Sequence, residues 1–476
     1  MIPRLPEETW LQVLGQLPRE TTLQVSQTDR RFRRILRPYI FAQFDFHPYA
    51  AGETDAFLPT PRKVEQLMER LEFWTSTEIA PFVRICDVRP YPPDHPSHPD
   101  CCRTEEPYIL LFSFFERVVR FINLQLLSCI GVHFTQTFLT NLCRLPELTT
   151  LSVTDYAAAP GHDIDFSRLK FQNLLEISLH DRIPGEGTDH SHWLRLLRPE
   201  FLTRLSIRLH SSHIPEIDRR PSFPHVTKLT LTLATSSQTP DIRRFLSKFP
   251  ALRTLEIRDH IWEREPADSV APTTAFSSPL TEYTGPVWTL YTFLRLPTLT
   301  HLTVGFCPQT PVLVTTFKTI GVQSSIISLR VSVFTLSHTQ LAAICEFFPG
   351  LTRLRIEICG LPPPHEVQAF LETLAQSTSL PQHLTQLALV WYNGSCKIDD
   401  PIYPKFRRDL TANLPTLNTI WLGFFDTMFL WRKTAAEDEE ISETAPGSVE
   451  DIGGLLTNIQ TMRHKFDVIW ADLEHF

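Results

Sequence analysis

The chain has 476 residues, 42% hydrophobic and 21% charged, which suits a folded protein of two or three domains or one long repeat array. A formal net charge of −8 speaks against a protein built chiefly to bind nucleic acid or an anionic membrane surface. No stretch reaches the roughly 18–20 apolar residues of a membrane span, and the opening MIPRLPEETW lacks the apolar core of a secretory signal. Nine cysteines in no regular pairing suit reduced thiols in cytoplasm or nucleus, and 16 glycines speak against Gly-rich nucleotide loops.

The first predicted element is a short helix in LPEETWLQVLGQLPRE, where Trp10, Val13, Leu14 and Leu17 recur at helical spacing. Pro18 breaks it. Leu23 and Val25 open a second apolar set, and Phe32, Ile35 and Leu36 line a third. Forty residues in short helices are too few for a large core of their own. The series Leu5-Pro6, Glu8, the VLGQLP around Val13, Leu14 and Leu17, then Leu23, Val25 and the RRFRR around Phe32 resembles an F-box, closely its fungal variety. Thr28 stands where that family usually has an aliphatic residue, and Phe32 where many members have Trp. The resemblance implies docking on the Skp-type adaptor of a cullin–RING ubiquitin ligase. Leu5, Pro6, Val13, Leu14, Leu17, Leu23, Val25 and Phe32 would then be the contact residues. The alternative for the same stripe is a helical cap on the protein's own core. The basic run Arg30, Arg31, Arg33, Arg34 and Arg37 reads as a solvated helix face.

Next, RKVEQLMERLEFW puts Val64, Leu67, Met68 and Leu71 on one helical face, a connector. The Pro-rich stretch after it crowds His95, His98, Cys101 and Cys102 together, at a spacing that matches no zinc finger or ribbon.

From about residue 80 one phrase recurs: LPELTTLSV at Leu145, FPHVTKLTL at Phe223, FPALRTLEI at Phe249, LPTLTHLTV at Leu296, FPGLTRLRI at Phe348 and LPTLNTIWL at Leu414. Looser copies share its L-x-x-L-x-L core, whose first apolar residues are Leu148, Leu174, Leu202, Val226, Leu252, Leu299, Ile326, Leu351, Leu384 and Leu417. A degraded copy falls at Leu280, and an earlier one is expected at Val119 in VVRFINL. Each copy alternates with period two, as a strand buried on one face does. Helical spacing follows in DIRRFLSKF, TQLAAICEFF, HEVQAFLETLA and YPKFRRDLTANL. A single strand and helix cannot bury themselves, so the units must stack. The pattern resembles a leucine-rich-repeat solenoid of about ten repeats. In that family the ninth position is usually Asn or Cys; here only Cys307 and Cys359 conform, which predicts an irregular array.

Alternation turns one residue of each copy outward: Ser152, Ser178, Ser206, Thr230, Glu256, Thr303, Arg330, Arg355, Ala388 and Trp421. Flanking outward positions add Arg204, Arg208, Lys228, Arg258, Arg353 and Glu357. The basic members Arg204, Arg208, Lys228, Arg258, Arg330, Arg353 and Arg355, with Trp421 as an outward aromatic, are the expected target-binding residues. Their balance predicts an acidic or phosphorylated protein segment as target.

RKTAAEDEEISETAPG reads as an acidic disordered insertion. Helical spacing then returns through Ile452, Leu455, Ile459, Met462, Phe466, Ile469 and Leu473, a helix expected to cap the last repeat. No nucleophile elbow, P-loop, dinucleotide fingerprint or H-E-x-x-H is present. The predicted architecture is thus an α/β repeat protein. It has an F-box-like helical module at 1–45, a helical connector at 46–80, an irregular leucine-rich-repeat solenoid at 81–431, an acidic insertion at 432–447 and a capping helix at 448–476. The expected role is a non-catalytic substrate receptor of an SCF-type ubiquitin ligase, in cytoplasm or nucleus, without metal or cofactor. Its partners would be the adaptor and an unknown target, with no nucleic acid or membrane. The alternatives are a protein-binding scaffold with a degenerate F-box and a hydrolase or metalloprotein using the His/Cys loop.

Overall fold

The computed structural model describes residues 7–48, 61–89, 109–259, 278–391 and 402–444, apart from 15, 155–156, 159–163, 166–168, 181–192, 194, 210–221, 234–241, 361, 425–426 and 434–437. The chain forms two compact units, Met1–Leu252 and Arg253–Phe476.

The first unit opens with helices α1 (Glu7–Leu14), α2 (Arg19–Thr28) and α3 (Arg30–Ile40). Asp29 separates the last two and caps α3, its carboxylate accepting the Arg31 amide at 2.6 Å. Leu14, Ile35 and Leu36 form a small buried core, with Trp10, Leu11, Leu17, Val25, Phe32 and Ile40 packed against it. The sheet follows at once with β1 (Gln43–Phe46), then α4 (Pro61–Trp74), β2 (Ile85–Val88), α5 (Ile109–Arg117) and β3 (Leu126–Ile130). Next come β4 (His133–Phe134), α6 (Gln136–Leu142), β5 (Thr150–Thr154), β6 (Ala157–Ala158), β7 (Glu176–His180), β8 (Arg204–Leu209), β9 (Lys228–Leu233) and α7 (Ile242–Leu246). Strands β1, β2, β3, β5, β7, β8 and β9 pair in that order, every pair parallel, while β4 and β6 form a separate short pair.

The second unit runs β10 (Thr254–Asp259), β11 (Glu282–Gly285), α8 (Leu290–Phe293), β12 (His301–Cys307), α9 (Thr310–Ile320), β13 (Ser328–Val333) and α10 (His338–Glu346). It continues with β14 (Arg353–Ile358), α11 (Pro364–Gln376), β15 (Gln386–Trp391), α12 (Ile402–Asn413) and β16 (Thr419–Gly423). Strands β10 to β16 pair consecutively and in parallel. Two last strands, β17 (Thr427–Lys433) and β18 (Asp438–Thr444), add antiparallel to β16.

Consecutive strands that are parallel must be joined by crossovers of a dozen residues or more, which is why even the shortest repeat, from β11 to β12, spans 19 residues. Within each copy the three apolar residues point inward. Leu148, Leu151 and Val153 are at most 1% exposed, as are Leu351, Leu354 and Ile356. The crossovers complete the core with Leu313 and Phe317 of α9, Leu341 and Ile344 of α10, and Leu371 and Leu374 of α11. The aromatic that opens an FP phrase packs on that of a neighbouring copy: Phe223 stacks on Phe249 with centroids 5.3 Å apart at 12°. Each such ring taken fully out of water contributes about 1.5–3 kcal/mol. The architecture is compatible with a repeat solenoid of leucine-rich-repeat type.

Threonines knit the strand starts together. The Leu175 carbonyl accepts the Thr203 amide at 2.8 Å, the Arg204 amide at 3.1 Å and the Thr203 hydroxyl at 3.1 Å. Thr149 and Thr227 repeat the hydroxyl bond in the first unit, and Thr281, Thr300, Thr352 and Thr385 repeat it in the second. This hydroxyl row gives seven of the repeats a side-chain bond to the preceding one; Leu175, Arg253, Ile327 and Asn418 hold the position in copies without it.

Several expectations are revised. The array starts before residue 81: Phe44 and Phe46 of β1, then Val83 just ahead of β2 and Cys86 and Val88 within it, fill the same inward positions with Phe, Val and Cys instead of Leu, so a leucine count passes over them. The early copy at Val119 is instead at Leu124, Leu127 and Cys129, because Val118–Arg120 forms a 3-10 turn. The degraded copy at Leu280 is a true strand, β11. The acidic stretch carries β18, since pairing with β17 satisfies its backbone whatever its side chains. The predicted capping helix at 448–476 and the His95–Cys102 loop lie outside the described residues. No helix among the described residues is long and apolar enough to cross a membrane.

Candidate binding surfaces

The N-terminal helices divide the eight expected adaptor contacts. Leu14 is 5% exposed and belongs to the internal core, which corrects its assignment as a contact residue. Leu17, Val25 and Phe32 are half-buried against that core, and Phe32 meets Trp10 edge-on at 5.1 Å. They hold the three helices together, because on helices this short the same stripe must serve as the core. Val13 and Leu23 instead face solvent, 50% and 39% exposed, and Tyr39 at the end of α3 is 45% exposed. Leu5 and Pro6 lie outside the described residues. Arg30, Arg31, Arg33 and Arg34 are exposed, as a solvated face requires.

The second surface is the sheet face turned away from the crossovers. In the first unit the register brings Asp45, Asp87, Ser128, Ser152, Ser178, Ser206 and Thr230 into one row. The outward residues expected from the phrase thus share a row, and two carboxylates precede them. Asp87 pairs with Arg89 at 2.5 Å. These two acids escaped the sequence reading because their strands carry no leucine phrase; the alternation Phe-Asp-Phe and Cys-Asp-Val was the available signal. Beside the row, Arg204 is 60% exposed and bridges Glu176 at 3.5 Å, and Lys228 is exposed. The Arg208 side chain lies outside the described residues.

In the second unit Glu256 aligns with Thr284, and Thr303 with Arg330, Arg355, Ala388, Trp421 and, on β17, Leu430. Arg258 lies half in water on Glu256 at 2.7 Å. Arg353 is half-buried, its guanidinium donating to His301 Nε2 at 2.6 Å. Glu357 is the hub of a charged cluster. Arg330 reaches its Oε1 at 2.7 Å through Nε, Arg355 reaches the same oxygen at 2.9 Å, and the Ser332 hydroxyl donates to Oε2 at 2.8 Å.

Two expected target contacts are corrected here. Arg355 is 1% exposed and committed to Glu357, and Trp421, placed on the outward row as alternation requires, is also only 1% exposed. Alternation assigns a face; it does not report what lies over that face.

Chemistry is sparse. The buried thiols are held protonated by loss of water, with Cys345 pushed up to about 12 by burial and then by Glu346 nearby. Burial also raises Cys86 and Cys129. Such thiols are poor nucleophiles. Among the described residues no three His, Cys, Asp or Glu side chains gather in a group able to hold a metal.

No protein family matches the sequence, and a comparison with curated proteins finds no match. Among solved structures the chain is similar to TLR13 in a TLR13–ssRNA13 complex, at 12% identity and a TM-score of 0.33, covering 71% of this chain and 39% of that one. The chain therefore spans well under half the length of that relative. A likeness this low carries nothing about what this chain binds.

Proposed function

We propose that this chain is a protein-binding repeat scaffold that serves as the substrate receptor of an SCF-type ubiquitin ligase. The N-terminal helices dock on a Skp-type adaptor, and the outward sheet face holds a target protein for ubiquitination. The observation that carries the reading is the three-helix module, which keeps its own small core and still presents Val13, Leu23 and Tyr39 to solvent. Exposed Arg204 and Lys228 support an acidic or phosphorylated segment as the target's contact. Catalysis by this chain has no part in the mechanism. A target held near the ubiquitin carrier reacts at raised effective concentration.

A second reading, a scaffold whose helices are only a cap, is favoured by the way α3 leads directly into β1. Phe41, next after α3, packs edge-on against Phe73 and Trp74 of α4. Co-purification with a Skp-type adaptor separates the two. A stoichiometric complex lost in Val13→Asp and Leu23→Asp supports the receptor; no complex with any form leaves the scaffold.

A further inference from the structure

Four of the five arginines on α3 share one face. Arg30, Arg33, Arg34 and Arg37 fall at i, i+3, i+4 and i+7, opposite the side that buries Ile35 and Leu36 in the core of the module. Arg30, Arg33 and Arg34 are exposed there, and Arg37 is half-buried. Like charges three and four apart on a helix repel one another, and cations in the first turn meet the positive end of the helix dipole. No acidic residue stands on α3 to offset them, and the carboxylate of Asp29 is engaged by the Arg31 amide. The charge pattern of α3 therefore works against the helix that carries it. A negatively charged surface laid on that face would reverse the sign of the effect.

The arginine face also joins the apolar docking patch. Arg33 donates through Nε to the Ser26 carbonyl of α2 at 3.4 Å. Ser26 lies one turn after Leu23, whose carbonyl accepts the Ser26 hydroxyl at 2.7 Å. A partner seated on exposed Leu23 thus meets Arg33 at its edge, with Arg30 and Arg37 one turn to either side.

We propose that the arginine face of α3 is the charged rim of the adaptor-docking surface, and that the protein docked there presents an acidic patch to it. This rests on the receptor reading of the N-terminal helices and adds the chemistry of the partner. The charge of the whole chain selects a protein surface over a larger polyanion. The net charge is −8, so apart from these arginines the chain is more negative still and repels a membrane surface or a nucleic acid. A small acidic patch escapes that repulsion, because exposed charges more than about 8–10 Å away are screened at physiological salt. Rim charges act chiefly on the encounter, so the arginines set the association rate while the apolar contacts hold the complex.

The test follows association and dissociation of a Skp-type adaptor with the full chain, natural or Arg30→Glu/Arg33→Glu, by stopped flow at low and high salt. Acids in the first turns suit the helix dipole, so the variant is expected to keep α3. At low salt it is expected to associate about tenfold more slowly than the natural chain, with dissociation changed less than about twofold, and high salt is expected to erase the difference. Equal association rates for the two chains, or a natural rate indifferent to salt, would overturn the inference and leave the receptor reading standing. No complex with the natural chain overturns both. Binding of phosphatidylserine vesicles or of a single-stranded oligonucleotide that the variant loses, with adaptor association unchanged, also overturns the inference, since the face then serves another polyanion. Should circular dichroism show the double variant unfolded, Arg30→Gln and the salt dependence of the natural chain decide.

Discussion

Arg330 and Arg355, on neighbouring strands, converge on the same Oε1 of Glu357, at 2.7 Å and 2.9 Å. Two guanidiniums on one carboxylate oxygen make the carboxylate the member that cannot be spared. Removing one partner of a buried charge cluster costs about 3–5 kcal/mol, because the remaining charge stays buried without compensation. Glu357→Gln is therefore expected to destabilise the protein by about 3 kcal/mol or more. Arg330→Gln should cost less, since Arg330 is partly in water. Urea unfolding of the two variants checks the order.

Val13 and Leu14 are neighbours with opposite environments, one 50% exposed and the other 5%. Val13→Asp is expected to leave the melting temperature unchanged and to abolish adaptor capture. Leu14→Asp is expected to place a carboxylate in the Leu14–Ile35–Leu36 core and to unfold the N-terminal helices, so capture is lost for a different reason. Circular dichroism alongside the capture assay separates the two. Capture retained by Val13→Asp and Leu23→Asp together would sink the docking surface.

The threonine row predicts a small, repeated effect. Thr352→Val keeps the shape and removes the hydroxyl bond to the Ile327 carbonyl, at 3.0 Å. That carbonyl still accepts the Thr352 and Arg353 amides, so the loss should be about 0.5–1.5 kcal/mol. The same change at Thr385 should cost a similar amount, and chemical denaturation of the single and double variants tests whether the two add.

Cys345 links stability to alkaline pH. Its folded thiol holds its proton up to about 12, whereas the unfolded thiol loses it near 9.0. Below that value both states are protonated and the thiol contributes no pH dependence. Between the two values the unfolded state releases a proton that the folded state keeps, so stability falls as pH rises, by about 1.4 kcal/mol per pH unit for this thiol. Cys345→Ala is expected to reduce that slope. Alkylation of Cys345 at pH 8 should proceed only on unfolding, as peptide mass spectrometry would show.

The sequence by itself determined the repeat, the inward apolar positions and the sheet row to which each outward residue belongs. These follow from period-two alternation, a local property of strands, so Ser152 aligns with Ser178 and Arg330 with Arg355 as the phrase predicts. It also carried the threonine row in plain view, as L-T-x-L, although the bond is recognisable only once the neighbouring carbonyl is in place. The tertiary structure alone decided which apolar residues of the N-terminal stripe face water, because that depends on how three short helices cross. It alone closed the array with an antiparallel hairpin of acidic sequence, since backbone pairing can outweigh composition. And it alone buried Trp421 and Arg355 on a face that alternation turns outward, because burial depends on every segment that packs nearby, however distant in the chain.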